Sequence, residues 1–96
     1  MRPYVIVSRD SANLNKPTAV GVPLTTRTNK ANSYRILLPA EELIADVGCT
    51  PFHNSVALCD HVRVLNLDLI QKKIGRVSQN AAAAISLGLA FLFDIR

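Results

Sequence analysis

The sequence has few cysteines and no tryptophan, and several common functional motifs are missing from it. Its two cysteines, Cys49 and Cys59, form neither a CxxC pair nor a cluster with histidine, which argues against structural zinc. There is no glycine-rich phosphate-binding loop, no GxSxG and no HExxH. These absences exclude the best-marked nucleotide, hydrolase and metalloprotease sites, and we expect no cofactor.

Long apolar runs are also missing. The longest apolar stretch, residues 81–93, is interrupted by Ser86 and Gly88 and falls short of the roughly 18 residues that a membrane span needs. The sequence begins without the charged and apolar regions of a signal peptide. Two cysteines without an export signal are expected to be reduced thiols. We therefore expect a cytoplasmic protein with no membrane association, folded as one domain over residues 1–96.

Positive charge is in surplus. Lysine and arginine together number 11 and aspartate and glutamate 7, which makes the formal net charge +4. Such a surplus favours polyanions or acidic proteins as partners, because binding releases counterions from phosphates. The two tyrosines and three phenylalanines are too few for a large stacking platform for single strands.

The apolar pattern predicts several short strands followed by one helix. The predicted strands are residues 3–9, 18–25, 34–38, 55–65 and 72–77, with a short helical turn over 67–71. Pro23 cannot donate to a β-ladder, so its position should be a strand end, an edge or a bulge. Ser78 is a good N-cap for an alanine-rich helix that runs to about Ile95. We predict a mainly β fold, a small β-barrel with a C-terminal α-helix packed on it.

The predicted helix is apolar on most of its circumference. Ala82, Ile85, Leu89 and Leu92 lie on one side, and further apolar residues lie on the others. A helix of this kind is usually covered by more than one neighbour. We expect one side to pack on the sheet and another to lie in a subunit interface.

Asp60 is the polar residue whose place in the pattern is most informative. Alternation along residues 55–65 puts it on one face with Val56, Leu58, Val62 and Val64, so it should be partly buried. A carboxylate there needs a cation or several hydrogen-bond donors, or its pKa rises. The pattern leaves two interpretations open: a structural acid that holds a nearby backbone or arginine, or a functional acid–base group.

His61 and Arg63 share the opposite face of the same predicted strand. The run from Asp60 to Arg63 combines a carboxylate, an imidazole and a guanidinium, which fits a surface that handles phosphate. A lone histidine on a strand is, however, more often structural or solvated than catalytic. Both interpretations of His61 stay open.

Hydroxyls and cations are concentrated after the second predicted strand. They are Thr25, Thr26, Arg27, Thr28 and Lys30. These are the usual side chains that contact phosphates, although the same composition fits a solvated hairpin loop. Arg2 stands directly before the first strand and, taken alone, fits an ordinary charged N-terminus.

Four segments together resemble the MazF/PemK toxin family. Residues 2–8 (RPYVIVS) look like its RPVLVVS strand, and residues 22–26 (VPLTT) look like its VPLTS strand end. Residues 55–63 (SVALCDHVR) are similar to its SVxLxDQ(I/V)R strand, and residues 73–78 (KIGRVS) to the xIGxLS segment before its terminal helix. The order and spacing of the four segments agree over essentially the whole chain.

The resemblance implies a fold and an activity. The fold is an SH3-like β-barrel with a C-terminal helix, the CcdB/MazF plasmid-maintenance toxin fold, usually as a homodimer. The activity is that of a type II toxin–antitoxin endoribonuclease, which cleaves single-stranded messenger RNA at short sequences without a metal and leaves 2′,3′-cyclic phosphate and 5′-hydroxyl ends. The implied partner is a MazE-like antitoxin with an acidic, disordered tail, and operator DNA is bound only in complex with that antitoxin.

Motif matches also imply roles for individual residues. Arg2 corresponds to a catalytic arginine, Thr25 to a catalytic threonine at the scissile phosphate, and Asp60 to an acid proposed as a base in some members. In those members the proposed acid is an arginine two residues earlier; here that position holds Leu58, so their mechanism does not transfer intact. His61 replaces a common glutamine and is a further catalytic candidate. The candidates for contacts to the RNA backbone are Thr26, Arg27, Lys30 and Arg63.

Members of this family usually carry a further strand and loop before the arginine–proline pair with which this sequence starts. The resemblance therefore predicts an N-terminally truncated barrel with an open sheet edge and a poorly positioned Arg2. This favours an alternative function, a toxin-fold protein with weak or no catalysis that acts through antitoxin and DNA autoregulation or inhibits another protein. The presence of both Arg2 and Thr25 favours RNA cleavage instead.

Overall fold

The structure is a computed structural model that describes residues 2–8, 18–66, 68 and 72–93. The strands formed by these residues are β1 (Tyr4–Ile6), β2 (Thr18–Thr25), β3 (Arg35–Leu38), β4 (Leu43–Ala45), β5 (Ser55–Leu58), β6 (Arg63–Asn66) and β7 (Gly75–Val77), and the helix is α1 (Gln79–Phe93). Short 3₁₀ turns cover Thr28–Lys30, Ala40–Glu42 and Cys59–His61. The prediction for β2 is confirmed at both ends. The predicted helical turn at 67–71 lies outside the described residues except for Asp68.

Strand β2 organises the larger sheet. Its Gly21 pairs with Ile6 of β1 on one edge and with Arg63 of β6 on the other, and β5 continues along that second edge from Leu24. Strand β3 then pairs with the outer edge of β5, so the order is β1-β2-β5-β3 with β6 also on β2, and all the pairs are antiparallel. A second sheet pairs β4 with β7. The sequence pattern did not predict β4.

The predicted single strand over residues 55–65 is wrong, because the 3₁₀ turn Cys59–His61 divides it into β5 and β6. The positions from Leu58 to Val62 face only Val22 and Pro23 on β2, so the extra residues leave the ladder. The nitrogen of Leu24 donates to the carbonyl of Pro3 at 3.0 Å, so the preceding nitrogen, that of Pro23, points to the opposite edge, where the turn lies. Of the three positions expected for Pro23, the structure has the bulge.

Helix α1 begins as predicted and packs on the sheet through one face. The nitrogen of Ala81 donates to Oγ of Ser78 at 3.0 Å, which is the predicted N-cap, and the Ser78 hydroxyl itself donates to the carboxylate of Glu42. Ala81, Ile85 and Gly88 are its buried residues. Leu87 and Phe91 are mostly exposed, so the expected subunit contact on that side stays a prediction. No helix within the described ranges is long and apolar enough to cross a membrane.

Helix α1 packs against the Cys59–His61 turn from the core side. Gly88 lies so close to it that a Cβ there would meet Cγ1 of Ile36 at 2.8 Å and Sγ of Cys59 at 3.1 Å. The thiol of Cys59 donates to the carbonyl of Ile85 at 3.8 Å. The largest fully buried side chains are those of Val22, Leu38, Val56, Cys59 and Ile85. Close packing of this kind gives the turn that carries Asp60 and His61 a rigid support.

We expect the two cysteines to react with thiol reagents at very different rates. Cys59 has no exposed surface, and burial raises the pKa of its thiol to about 11, with the charge of Asp60 as the second cause. The thiolate is the reactive form, so Cys59 should be inert in the folded chain, whereas Cys49 is partly exposed and should react. Titration with a chromogenic disulfide reagent should count one thiol in buffer and two in guanidinium chloride. A Cys49→Ser variant that still showed a fast thiol in buffer would contradict this expectation.

Candidate active site

Two adjoining clefts both have Arg2 in their lining. The first has a volume of about 270 Å³ and is lined by Arg2, Tyr4, Pro23, Asp60, His61, Val62 and Arg63. The second has a volume of about 400 Å³ and is lined by Arg2, Pro3, Leu24, Thr25, Thr26 and Ser55. Most of the residues singled out in the sequence therefore meet on one surface, although they come from three distant segments of the chain.

All four predicted catalytic residues line these clefts. Arg2 lies in both, Asp60 and His61 in the first, and Thr25 in the second. The hydrogen bond between Leu24 and Pro3 ties the segment after Arg2 to the end of β2, where Thr25 lies. The placement of Arg2 beside Thr25 thus follows from the pairing of β1 with β2.

The predicted RNA-binding residues are divided. Thr26 lines the second cleft and Arg63 the first, where its guanidinium lies over the ring of Tyr4, 5.3 Å from the ring centre. Arg27 and Lys30 are exposed beside and on the 3₁₀ turn Thr28–Lys30 and are not among the residues that line either cleft. They extend the cationic surface from the end of β2.

Asp60 is bound by an arginine that the sequence reasoning missed. Nε of Arg35 donates to both carboxylate oxygens of Asp60 at 3.1 Å, and Nη2 donates to Oδ2 at 2.6 Å. The side chain of Asp60 is 21% exposed, so it is partly buried as predicted, but in a turn and not on a strand face. The sequence did indicate a partner for Asp60, because a carboxylate among apolar residues needs a cation or several donors. The pattern did not identify Arg35 as that partner.

His61 lines the first cleft beside Asp60. Its Nε2 lies 3.7 Å from Oδ2 of Asp60, the oxygen that also binds Nη2 of Arg35. About half of its side chain is exposed, 53% by area. The imidazole can therefore reach a molecule in the cleft while its Nε2 lies beside the carboxylate of Asp60.

Electrostatics favour an anion at this surface. Arg2 and Arg63 contribute positive charge to the first cleft, and the guanidinium of Arg35 compensates the carboxylate of Asp60 from behind. Within the described part of the chain, no group of three or more His, Cys, Asp or Glu side chains could hold a metal ion. Hydroxyl and guanidinium groups around a cleft of this kind can bind a phosphate and stabilise added negative charge on it.

Comparison with known proteins identifies a family for this chain. Residues 1–93 match the family model described as PemK-like, MazF-like toxin of type II toxin–antitoxin system. The chain belongs to this family. Membership implies an antitoxin as partner. A search of curated proteins finds no match.

Solved structures establish the fold of this family member. The Mycobacterium tuberculosis toxin MazF-mt6 superposes with a TM-score of 0.80 at 17% identity, over 99% of this chain and 88% of that one. An Mtb toxin gives 0.75 at 17% identity, over 94% and 90%. An endoribonuclease from a mycobacterial species gives 0.71 at 24% identity, over 97% and 80%. The predicted mainly β fold with a C-terminal helix, the fold of MazF toxins, is confirmed.

We expect the ion pair between Asp60 and Arg35 to make stability depend on acid pH. The hydrogen bonds from Arg35 lower the pKa of Asp60 below its usual value, so the folded chain binds this proton more weakly than the unfolded chain does. The stabilisation is therefore fully present above the unfolded pKa of about 3.9 and is lost as the pH falls through the lower, folded value. Urea unfolding of the wild type and of Asp60→Asn should differ most at neutral pH, and the difference should shrink below about pH 4. A difference that does not change with pH would contradict the expectation.

Proposed function

We propose that this family member is an endoribonuclease that cleaves single-stranded RNA without a metal ion. The observation that carries the proposal is the position of Arg2, which lies in both clefts and so adjoins Thr25 on one side and Asp60 and His61 on the other. A phosphate placed at this junction would meet a guanidinium, a hydroxyl and an imidazole. The fold it shares with a mycobacterial endoribonuclease supports the same reading.

The proposed reaction uses the RNA's own 2′-hydroxyl as the nucleophile. Its oxygen forms a bond to the neighbouring phosphorus while the bond from phosphorus to the 5′-oxygen breaks. The 2′-oxygen loses one proton and the leaving 5′-oxygen gains one, so the products are a 2′,3′-cyclic phosphate and a 5′-hydroxyl. Arg2 and Thr25 stabilise the charge on the phosphorane oxygens. His61, next to Asp60, takes the proton from the 2′-hydroxyl.

RNA cleavage in the presence of a chelator tests this proposal. The purified chain is incubated with mixed-sequence RNA in EDTA, the cut sites are mapped, and the ends are identified by direct enzymatic phosphorylation of the new 5′-hydroxyl. Replacing the 2′-hydroxyl at a mapped site with fluorine should abolish the cut there. If RNA cleavage by the wild type does not exceed that by Arg2→Ala, the ribonuclease proposal is wrong and a binding function takes its place.

The exposed cations near the end of β2 are expected to hold the RNA backbone. The side chains of Arg27 and Lys30 are exposed to solvent. Each phosphate contact to a single strand contributes about 0.7 to the slope of log Kd against log salt concentration, so removing both side chains should flatten the slope by about 1.4. Binding of 2′-fluoro RNA, measured at several salt concentrations, checks this. Arg76→Ala, which removes an exposed arginine on β7, is the matched control and should leave the slope unchanged.

The proposed partners follow from the same surface. An acidic, poorly ordered antitoxin tail would lie along the cationic clefts and exclude RNA, because both bind through negative charge. The exposed apolar side chains of α1, which include Leu87 and Phe91, would lie in a homodimer interface. Operator DNA would be bound by the complex with the antitoxin, in the cytoplasm.

A further inference from the structure

Arg35 occupies a position that links the sheet to the active-site turn. It begins β3, directly opposite Leu58, the last residue of β5. Its guanidinium reaches beyond that strand end to Asp60 and binds both carboxylate oxygens. Arg35 is not among the residues that line the two clefts, and its hydrogen bonds join it to that surface through Asp60.

The backbone around Arg35 is itself held in place. Oδ1 of Asn32 accepts hydrogen bonds from the nitrogens of Tyr34 and Arg35 at 3.0 and 2.9 Å, which sets the start of β3. The nitrogen of Cys59 donates to the carbonyl of Tyr34 at 3.2 Å, so the start of the turn is tied to the start of this strand. The backbone that carries the guanidinium is thus held by hydrogen bonds next to the turn that carries Asp60.

We propose that Arg35 is a positioning residue for RNA cleavage, acting through Asp60, which in turn holds His61 in the first cleft. The proposal rests on the proposed ribonuclease function and assigns to Asp60 an orienting role. Both oxygens of that carboxylate already accept hydrogen bonds from Arg35, so Asp60 is poorly placed to take the 2′ proton. His61 has an exposed imidazole beside the same carboxylate and is free to do so.

Charge supports the same assignment. An uncompensated carboxylate in the cleft would repel the phosphates of the RNA, and the ion pair with Arg35 removes most of that repulsion. The hydrogen bonds from Arg35 also keep the pKa of Asp60 low, so the carboxylate stays charged and can attract a protonated imidazole. Without Arg35 the side chain of Asp60 would lose the side-chain hydrogen bonds that set its orientation, and His61 would lose a fixed neighbour.

Single-turnover cleavage by a set of variants tests the proposal. Arg35→Ala is expected to slow single-turnover cleavage at a mapped site, with enzyme at saturating concentration, by about 10-fold or more, because positioning is lost. The uncompensated carboxylate of Asp60 should also weaken the binding of 2′-fluoro RNA, and the Kd measures that effect separately. Arg35→Lys, which keeps the charge but not the paired donors, should cleave at an intermediate rate. Arg76→Ala should cleave like the wild type. The double variant Arg35→Ala/Asp60→Asn should be no slower than Asp60→Asn alone, because Arg35 acts only through Asp60.

Each alternative outcome overturns a distinct statement. If the wild type leaves RNA intact in EDTA, both the ribonuclease function and the role of Arg35 are wrong. If the wild type cleaves and Arg35→Ala cleaves equally well, or if its loss lies entirely in Kd, only the positioning role is wrong. Losses that multiply in the double variant would show that Arg35 acts independently of Asp60. Circular dichroism confirms folding, and if Arg35→Ala does not fold, Arg35→Lys and Asp60→Asn carry the comparison.

Discussion

Replacing Arg2 with alanine is expected to lower the rate of RNA cleavage by about 100-fold or more, the usual cost of removing a donor that stabilises a developing anion. Arg2 lines both clefts, and Thr25 and His61 each line one of them, so Arg2 adjoins the place where we propose that the phosphate is held. Single-turnover rates in EDTA with enzyme in excess measure the effect directly. The Kd for 2′-fluoro RNA should change far less than the rate.

Two controls make this result specific. Arg2→Lys keeps the charge but loses the planar pair of donors, so it should recover part of the rate. Arg76→Ala removes an exposed arginine on β7, away from both clefts, and should leave the rate unchanged. Arg2 is exposed, so its replacement should not change the thermal midpoint. A rate for Arg2→Ala within about twofold of the wild type would remove Arg2 from the mechanism.

Replacing Ile85 with alanine is expected to lower the free energy of unfolding by about 2–5 kcal/mol. The side chain of Ile85 is 2% exposed, and its carbonyl accepts the hydrogen bond from Cys59. A small domain has only about 5–15 kcal/mol in total, so the loss is a large fraction of its stability. Urea unfolding at one fixed protein concentration measures the change, and Ile85→Val should cost a smaller amount, about 0.5–1.5 kcal/mol.

Val47→Ala is the matched control for the core substitution. Val47 is fully exposed on the turn after β4, so trimming it should change stability by less than about 0.5 kcal/mol. Equal losses for Ile85→Ala and Val47→Ala would contradict the assignment of Ile85 to the core. Because α1 supports the Cys59–His61 turn through Ile85 and Gly88, Ile85→Ala should also slow RNA cleavage at temperatures where it is still folded.

Local sequence patterns were sufficient to predict the elements whose conformation depends on residues close in the sequence. The range Thr18–Thr25 was predicted in full, because a β-rich segment lies between two polar stretches. The start of α1 after its N-cap Ser78 was predicted because capping joins residues three positions apart, here Ser78 and Ala81. The comparison of motifs named Arg2 and Thr25 as candidates, and both line the clefts.

Local patterns failed where pairing with a distant strand decides the conformation. The alternation of apolar residues continues through residues 55–65, so nothing in its period marks the turn at Cys59–His61. That turn lies opposite Pro23, whose nitrogen has no proton to donate to the ladder. Strand β4 was missed for a similar reason, since its short segment becomes a strand only by pairing with β7.

The sequence by itself determined the fold class, the family and the residue types from which the site is made. Only the tertiary structure decided how those residues meet: Arg2 between two clefts, Asp60 in a turn, and Arg35 across from Leu58 with its guanidinium on a carboxylate 25 positions away. The physical reason is that an ion pair between a strand and a turn depends on cross-strand register, and register is set by the long-range pairing of β2, β5 and β3.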